Sequence, residues 1–445
     1  MDIFTYFLHN YRLYDDTGHI SIGYGIREKS DIQIVKSVGD DFWNEKLGVS
    51  SQNIVWKKWN GVEIPFLFEN DDTAEIITIE NGCIYINYDI VASTFYFLSG
   101  WDEITNPGKD EYGRIAYEQS IIKTLGIAHI PVVNYYFDIL HYATSQFPKK
   151  NQKSKIKNQK WNDHSFAVAL THDIDNCMTA WIEGSFSELK RGRLFSIPGL
   201  VLKRFISSDD WFNFDLISSI EKQYNARSTF FFLPEKGKTN QWKNADYDVC
   251  HQKIRNTIRK LEDDGFEIGV HGSFGTHGDM QKLKKEISKI NATSIIGSRF
   301  HFLMFDPEKT TGILENSGIK YDSSLGFAEH IGFRRGTCYP FFLFDFAQNK
   351  ISAVLEIPLI VMDTTLRNKK YMGFTPEQTR DKIFKLVDEV KKFNGVFTLL
   401  WHNTFFSDYK FTGWKQIYLN ILEYCNNNNA LMTTNRNIYE KITGK

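Results

Sequence analysis

The sequence predicts an α/β fold built on a parallel sheet, and three observations carry that prediction. After residue 160, seven short apolar runs recur without clean alternation, as strands buried on both faces require. Amphipathic helical stretches separate them, and strands alternating with helices imply a parallel sheet, open or closed into a barrel. Polar residues gather where the runs end. In parallel α/β barrels the carboxyl ends of all strands share one face, and active sites form there.

Residues 1–146 mix short strand-like runs with helical stretches and are expected to form a smaller N-terminal α+β domain. Runs 76–79 and 83–88 are joined through Asn81-Gly82, a pair that favours a tight hairpin, while 115–146 looks more helical. The polar, lysine-rich stretch 147–160 reads as a solvated linker rather than as a basic patch gripping an anionic partner. That leaves 161–445 for the α/β part, with strands expected at 166–170, 228–233, 267–270, 294–297, 319–321, 353–357 and 396–400. Three of the intervening helices are readable. One begins near Phe212 and aligns Leu216, Ile217, Ile220 and Tyr224, and another aligns Ile254, Ile258 and Leu261 and stops at Gly265. The third begins at Thr375-Pro376-Glu377-Gln378, where Thr375 can cap, Pro376 suits the first turn and Gln378 completes a capping box.

Length and composition narrow the function classes. With 445 residues, two or three domains are expected. Lys plus Arg is 53 and Asp plus Glu is 54, a net charge of −1, which argues against a general electrostatic grip on nucleic acid or an anionic membrane. No run of about 18 apolar residues appears, so no membrane span is expected. The N-terminus lacks a positive region followed by an apolar one, and the simplest location is the cytoplasm. The five cysteines are scattered and form no CxxC pair, against a disulfide framework or a cysteine zinc site. Aromatics make up 15% of the chain, most of them attributable to a thick core.

The chemistry sits at the run ends. The first run leads into Thr171-His172-Asp173-Ile174-Asp175, the third into His271-Gly272-Ser273, the fourth into Arg299-Phe300-His301 and the seventh into Trp401-His402-Asn403. A carboxylate with imidazoles suits a divalent ion such as zinc. With two carboxylates, one can hold the ion while the other takes a proton from water. His271 and His277 are six apart, so both reach one ion only if the intervening loop curls back, and His301 competes as the third ligand. His402, half-buried after an apolar run, can hold a proton near neutral pH and act as a general acid. His172 adjoins the carboxylates and can support them from behind.

This ordered set resembles the polysaccharide deacetylase family, the NodB-homology domain of carbohydrate esterases, over roughly residues 160–445. Thr171-His172-Asp173-Ile174-Asp175 is similar to the family's first motif, His271-Gly272-Ser273 to the start of its histidine motif, Arg299 to the arginine of its third motif and Leu400-Trp401-His402 to its last. The segment 321–327, with Gly332-Phe333-Arg334 and Gly336-Thr337-Cys338, is similar to a subgroup carrying an extra N-terminal domain. The sequence departs from the pattern at Gly275, where the family has a second histidine, and at Arg299-Phe300-His301-Phe302, where prolines are usual.

The resemblance implies a distorted, seven-stranded (β/α) barrel and a metal-dependent hydrolase that removes N-acetyl groups from an amino-sugar or glycan. It implies Asp173 as catalytic base, His402 as general acid and Arg299 as the group orienting Asp173. Asp175, His271 and either His301 or His277 would hold a divalent metal, expected to be zinc. Trp401, Phe300 and Phe302 flank the expected site and are candidates for contact with a sugar ring. The alternatives are an amidase acting on a non-sugar amide and a carbohydrate-binding module whose hydrolase site has decayed; Gly275 speaks for decay, the intact Asp173, Asp175, His271 and His402 against it.

Overall fold

The computed structural model describes residues 2–15, 18–25, 30–106, 108–147, 160–190, 192, 195, 198–199, 209–408 and 410–445. The lysine-rich stretch expected to be a linker lies outside the described residues except for its ends, Phe147 and Lys160.

Five of the seven apolar runs become strands of one curled, mixed sheet, and the runs 294–297 and 319–321 lead into two more; among the described residues the sheet has ten strands. In chain order these are β1 (Phe166–Ile174), β2 (Thr229–Phe232), β3 (Glu267–Gly272), β4 (Gly297–Phe300), β5 (Tyr321–Asp322), β6 (Phe341–Asp345), β7 (Lys350–Glu356), β8 (Val361–Met362), β9 (Val396–Leu400) and β10 (Ala430–Thr433). Their spatial order is β6-β7-β5-β4-β3-β2-β1-β9-β8, with β10 also paired to β1. Every pairing is parallel except β6 with β7. The end strands β6 and β8 do not pair with each other, so the barrel is open on that side. The three strands beyond the expected seven are β6, β8 and β10. β8 has only two residues, too few for a periodic signal.

β1 is the axis of the sheet. All nine of its residues are buried, as a strand covered on both faces must be. One edge pairs with β9 over 167–171. The other pairs with β10 over 166–169 and then with β2 over 171–174. The carboxyl end of β1 is thereby flanked on both sides.

The helices follow the sequence reading. Gln252–Asp263 buries the expected Ile254, Ile258 and Leu261, while Phe214–Gln223 buries Ile217 and Ile220 but leaves Leu216 exposed, and Gly265 turns the chain back with φ 81°. Pro376–Lys392 opens with the predicted capping box, in which the Thr375 N–H donates to Gln378 Oε1 at 2.9 Å. The fourth strand is displaced from expectation. The run 294–297 leads into the strand, which occupies 297–300 and so places Arg299 inside the sheet.

The N-terminal part has its own four-stranded sheet, ordered Ile22–Tyr24, Ile32–Ile34, Cys83–Ile86, Ile77–Glu80. The last two form the predicted hairpin, with Asn81 and Gly82 both at positive φ. Helices Ile3–Tyr14 and Ile90–Ser99 pack against β6, where Tyr6 Oη donates to the Phe342 carbonyl at 2.9 Å. Buried Arg334 forks onto Glu103 with two bonds of 2.8 Å. Apolar packing is continuous across this junction.

Candidate active site

Four strand ends bring Asp173, Asp175, His271, Arg299, His301 and His402 together beside one cleft, whose wall includes Asp175, His301 and His402. At the end of β1 the side chains alternate. His172 points away from the cleft, with Nδ1 donating to Trp401 O (2.5 Å) and Nε2 lying 2.7 Å from Glu221 Oε1. Thr171, Asp173 and Asp175 project the other way, toward Arg299 and the histidines.

Arg299 is fully buried, which is tolerable only because nearly every donor is used. Its Nε donates to Ser323 O (2.8 Å), Nη2 to Ser323 Oγ (2.8 Å), and Nη1 to Thr171 Oγ1 (2.7 Å) and to Asp173 Oδ1 (3.1 Å). The guanidinium also lies over the Phe231 ring, 4.8 Å from its centroid. Asp173, itself buried, is thus oriented by a charge that cannot move. Its second oxygen lies 3.7 Å from His271 Nε2.

Asp175, His271 and His301 form a compact triangle of donor atoms. His271 Nε2 is 3.3 Å from Asp175 Oδ1, His301 Nδ1 is 3.4 Å from the same oxygen, and the two nitrogens are 3.1 Å apart. The far nitrogens assign the tautomers: His271 Nδ1 donates to Arg299 O (2.9 Å) and His301 Nε2 to Lys243 O (3.0 Å). Both near nitrogens therefore turn lone pairs toward each other and toward a carboxylate oxygen that is buried and lacks a hydrogen-bond partner among the described residues. A cation relieves that repulsion. Ligand atoms at about 2.0–2.1 Å from a tetrahedral zinc ion lie about 3.3–3.4 Å apart, close to the edges of this triangle. The donor set and its spacing fit a divalent metal.

His402 stands on the opposite side of Asp175, with Nε2 3.7 Å from Oδ2. Its ring is held from behind by fully buried Asp363, which accepts from Nδ1–H at 2.7 Å and from the His402 backbone N–H at 2.6 Å. Burial opposes the charged imidazole, but Asp363, joined by Asp175 and Asp173, outweighs it and raises the pKa to about 9. Burial likewise opposes ionisation of Asp175, yet His301, His271 and His402 hold its carboxyl well below the usual range. Burial lowers the His301 pKa to about 4, keeping the ring neutral as a ligand must be.

The cleft has a volume of about 930 Å³, and its wall includes Asp175, His301, His402, Phe302, Trp211 and Arg367. Three expectations change here. His277 is not part of the donor triangle: it sits in the turn Thr276–Gly278, its ring 6.2 Å from that of Phe300, and His301 occupies the third corner instead. Trp401 is fully buried against Trp414 and Tyr418, because it alternates with His402 and faces the core. Phe300 is also fully buried; its ring takes the space where a side chain on Gly272 would stand, 2.6 Å from an ideal Cβ. Phe302 alone of the three aromatics lines the cleft. It and Leu303 have φ of 60° and 55°, a left-handed pair of non-glycine residues costing about 1–2 kcal/mol each. Trp211, Phe405, Phe411 and Trp414 are further aromatics of the wall.

Four contributors went unread in the sequence. Asp363 follows a strand of two residues, and the Lys243 carbonyl has no side-chain signal. Thr171 and Ser323 stood within motifs already noted, without a role.

Residues 3–148 match a family described as a family of unknown function, DUF7033. No curated protein matches the chain. Among solved structures, one from Mycobacterium smegmatis, described as a candidate polysaccharide deacetylase, is similar at 17% identity, covering 64% of this chain and 92% of the other with a TM-score of 0.43. The Puue allantoinase is similar at 11% identity, with 67% and 98% covered and a TM-score of 0.41. A polysaccharide deacetylase candidate from Pseudomonas aeruginosa PAO1 is similar at 12% identity, with 64% and 92% covered and a TM-score of 0.40.

Proposed function

We propose that the chain is a metal-dependent hydrolase that removes N-acetyl groups from an amino-sugar or glycan. The observation that carries this reading is the juxtaposition, in one cleft, of an arginine-held carboxylate, a buried donor triangle and a carboxylate-backed histidine. Asp175, His271 and His301 would hold the ion, with zinc the best match to two imidazoles and a carboxylate. When bound, the ion supplies charge that polarises the amide carbonyl and makes water easier to deprotonate.

The chain's own groups supply the rest. Asp173 takes a proton from the attacking water, and Arg299 fixes the carboxylate's direction and compensates its charge. Attack on the carbonyl carbon gives a tetrahedral species. His402, protonated at Nε2 because Asp363 binds Nδ1–H, gives its proton to the departing amine nitrogen. The C–N bond breaks, leaving acetate and a free amine. The aromatic wall of Phe302, Trp211 and Trp414 suits the apolar face of a sugar ring. That His301 completes the donor triangle without a histidine at Gly275 supports this reading over a decayed site.

Asp173→Asn tests the role assignment. Turnover is expected to fall at least about 100-fold, the low end for loss of a general base, with metal content unchanged. Wild-type turnover in that variant rules the assignment out.

A further inference from the structure

His301 is held from two sides, and both sides trace to one loop of the N-terminal part. On one side is the turn that follows it. Phe302 and Leu303 both lie in the left-handed region, and the Phe302 ring packs 3.9 Å from that of His301. On the other is the hairpin Lys238–Thr239/Trp242–Lys243, whose Lys243 carbonyl receives His301 Nε2–H.

Tyr112 touches both. Its ring stacks on Phe302 at 4.8 Å and 26°, and lies 4.4 Å from Trp242, the neighbour of Lys243. Arg114 donates from Nη1 to the Phe302 carbonyl itself, 188 residues away in the chain, and its guanidinium lies over the Tyr112 ring, 4.6 Å from the centroid. The loop is also tied to itself. Asp110 accepts from the Tyr112 and Arg114 backbone N–H groups, 2.9 Å each, and pairs with the Arg114 guanidinium at 2.6 Å. Arg114 is 5% exposed. A strained turn of two non-glycine residues persists only where its surroundings over-determine it, and these are the surroundings.

We infer that loop 110–114 is a clamp on the third metal ligand: Tyr112 and Arg114 are positioning residues that aim His301 Nδ1 at the ion and thereby set metal affinity. This gives the region of unknown function a part in the site, and it rests on the metal-dependent reading above. Groups that orient a ligand from behind are worth about 10–100-fold in metal affinity.

The test is zinc affinity by competition with a chromophoric chelator, on full-length protein, together with the visible spectrum of the cobalt-substituted form. Tyr112→Ala and Arg114→Gln are each expected to weaken zinc at least about tenfold and to alter the cobalt bands, while Tyr112→Phe, which keeps the stack, behaves as wild type. Tyr117→Ala is the control: Tyr117 is a buried aromatic of the same region that packs on Phe327 and His330 instead. It is expected to lower thermal stability and leave zinc affinity unchanged. Arg114→Gln carries the test alone if Tyr112→Ala is not obtained folded. Wild-type affinity in both clamp variants, or an equal loss in Tyr117→Ala, overturns the clamp alone. A wild-type protein that binds no zinc overturns the metal-dependent reading and the clamp with it.

Discussion

Replacing Asp363 with asparagine isolates what holds the proton on His402. The substitution keeps the volume and an acceptor for the His402 backbone N–H, now 2.6 Å from Oδ2. It removes the buried negative charge beside Nδ1 and offers an amide donor where an acceptor stood. His402 has a pKa of about 9 with Asp363 in place, against an ordinary value of 6.5. That rise corresponds to about 3–4 kcal/mol favouring the imidazolium. A raised histidine pKa means the proton is held below about pH 9 and lost above it. If the variant returns to the ordinary value, the protonated fraction at about pH 8 drops from about 0.9 to about 0.03, a rate loss of about 30-fold. At about pH 6 both forms remain mostly protonated, and the loss is less than about twofold. The assay is acetate release from about pH 5.5 to 9.5 at equal metal content. A bound cation lowers both alkaline limbs alike, so the separation between them is the quantity read. A loss that is uniform across pH, or no loss, refutes the assignment of Asp363 as the group that keeps His402 charged.

His301→Ala removes one corner of the donor triangle and is expected to cut zinc affinity more than 100-fold, the scale set by losing a direct ligand rather than a supporting one; equilibrium dialysis reads it. Glu221→Ala leaves fully buried His172 and Tyr418 without their shared acceptor at 2.7 and 2.5 Å, and is expected to cost about 3–5 kcal/mol in denaturant unfolding. Burial raises the Asp89 carboxyl to about 6 and Glu69 to about 7, so both favour protonation in the folded state. Stability should therefore decline as pH rises from about 4 through 7, where the folded groups are forced to ionise, and thermal unfolding across that range with Asp89→Asn as control checks it.

The sheet was legible because its strands are apolar on both faces, so β1, β2 and β9 stand out even without alternation. The site was legible because Asp173, Asp175, His271 and His402 interrupt those runs at their carboxyl ends. Side-chain direction was harder to read. Trp401 and Phe300 are neighbours of His402 and His301 in sequence, but strand alternation turns one of each pair into the core. Position 299 looked like a strand end and is inside the strand, because Thr171, Ser323 and Asp173 supply a buried guanidinium with partners that no local pattern reveals. Asp363 was hidden for the opposite reason, since a two-residue strand has no period. The hairpin at Asn60-Gly61, Ile54–Trp59 against Val62–Leu67, carries the same Asn-Gly signal as Asn81-Gly82 and went unread beside it. Sequence spacing does not separate His301 from His277, because only the folded turn brings one ring and not the other to Asp175.

Asp175, His271 and His301 are proposed to hold a metal that the cleft uses to hydrolyse an N-acetyl amide. Acetate release from a panel of N-acetylated sugars and nucleotide sugars, before and after chelation and again after zinc is restored, tests it most directly. Release from at least one member is expected, with its loss on chelation and its return with zinc. Release that survives complete removal of the metal, or none from any member by protein carrying a full complement of zinc, contradicts it.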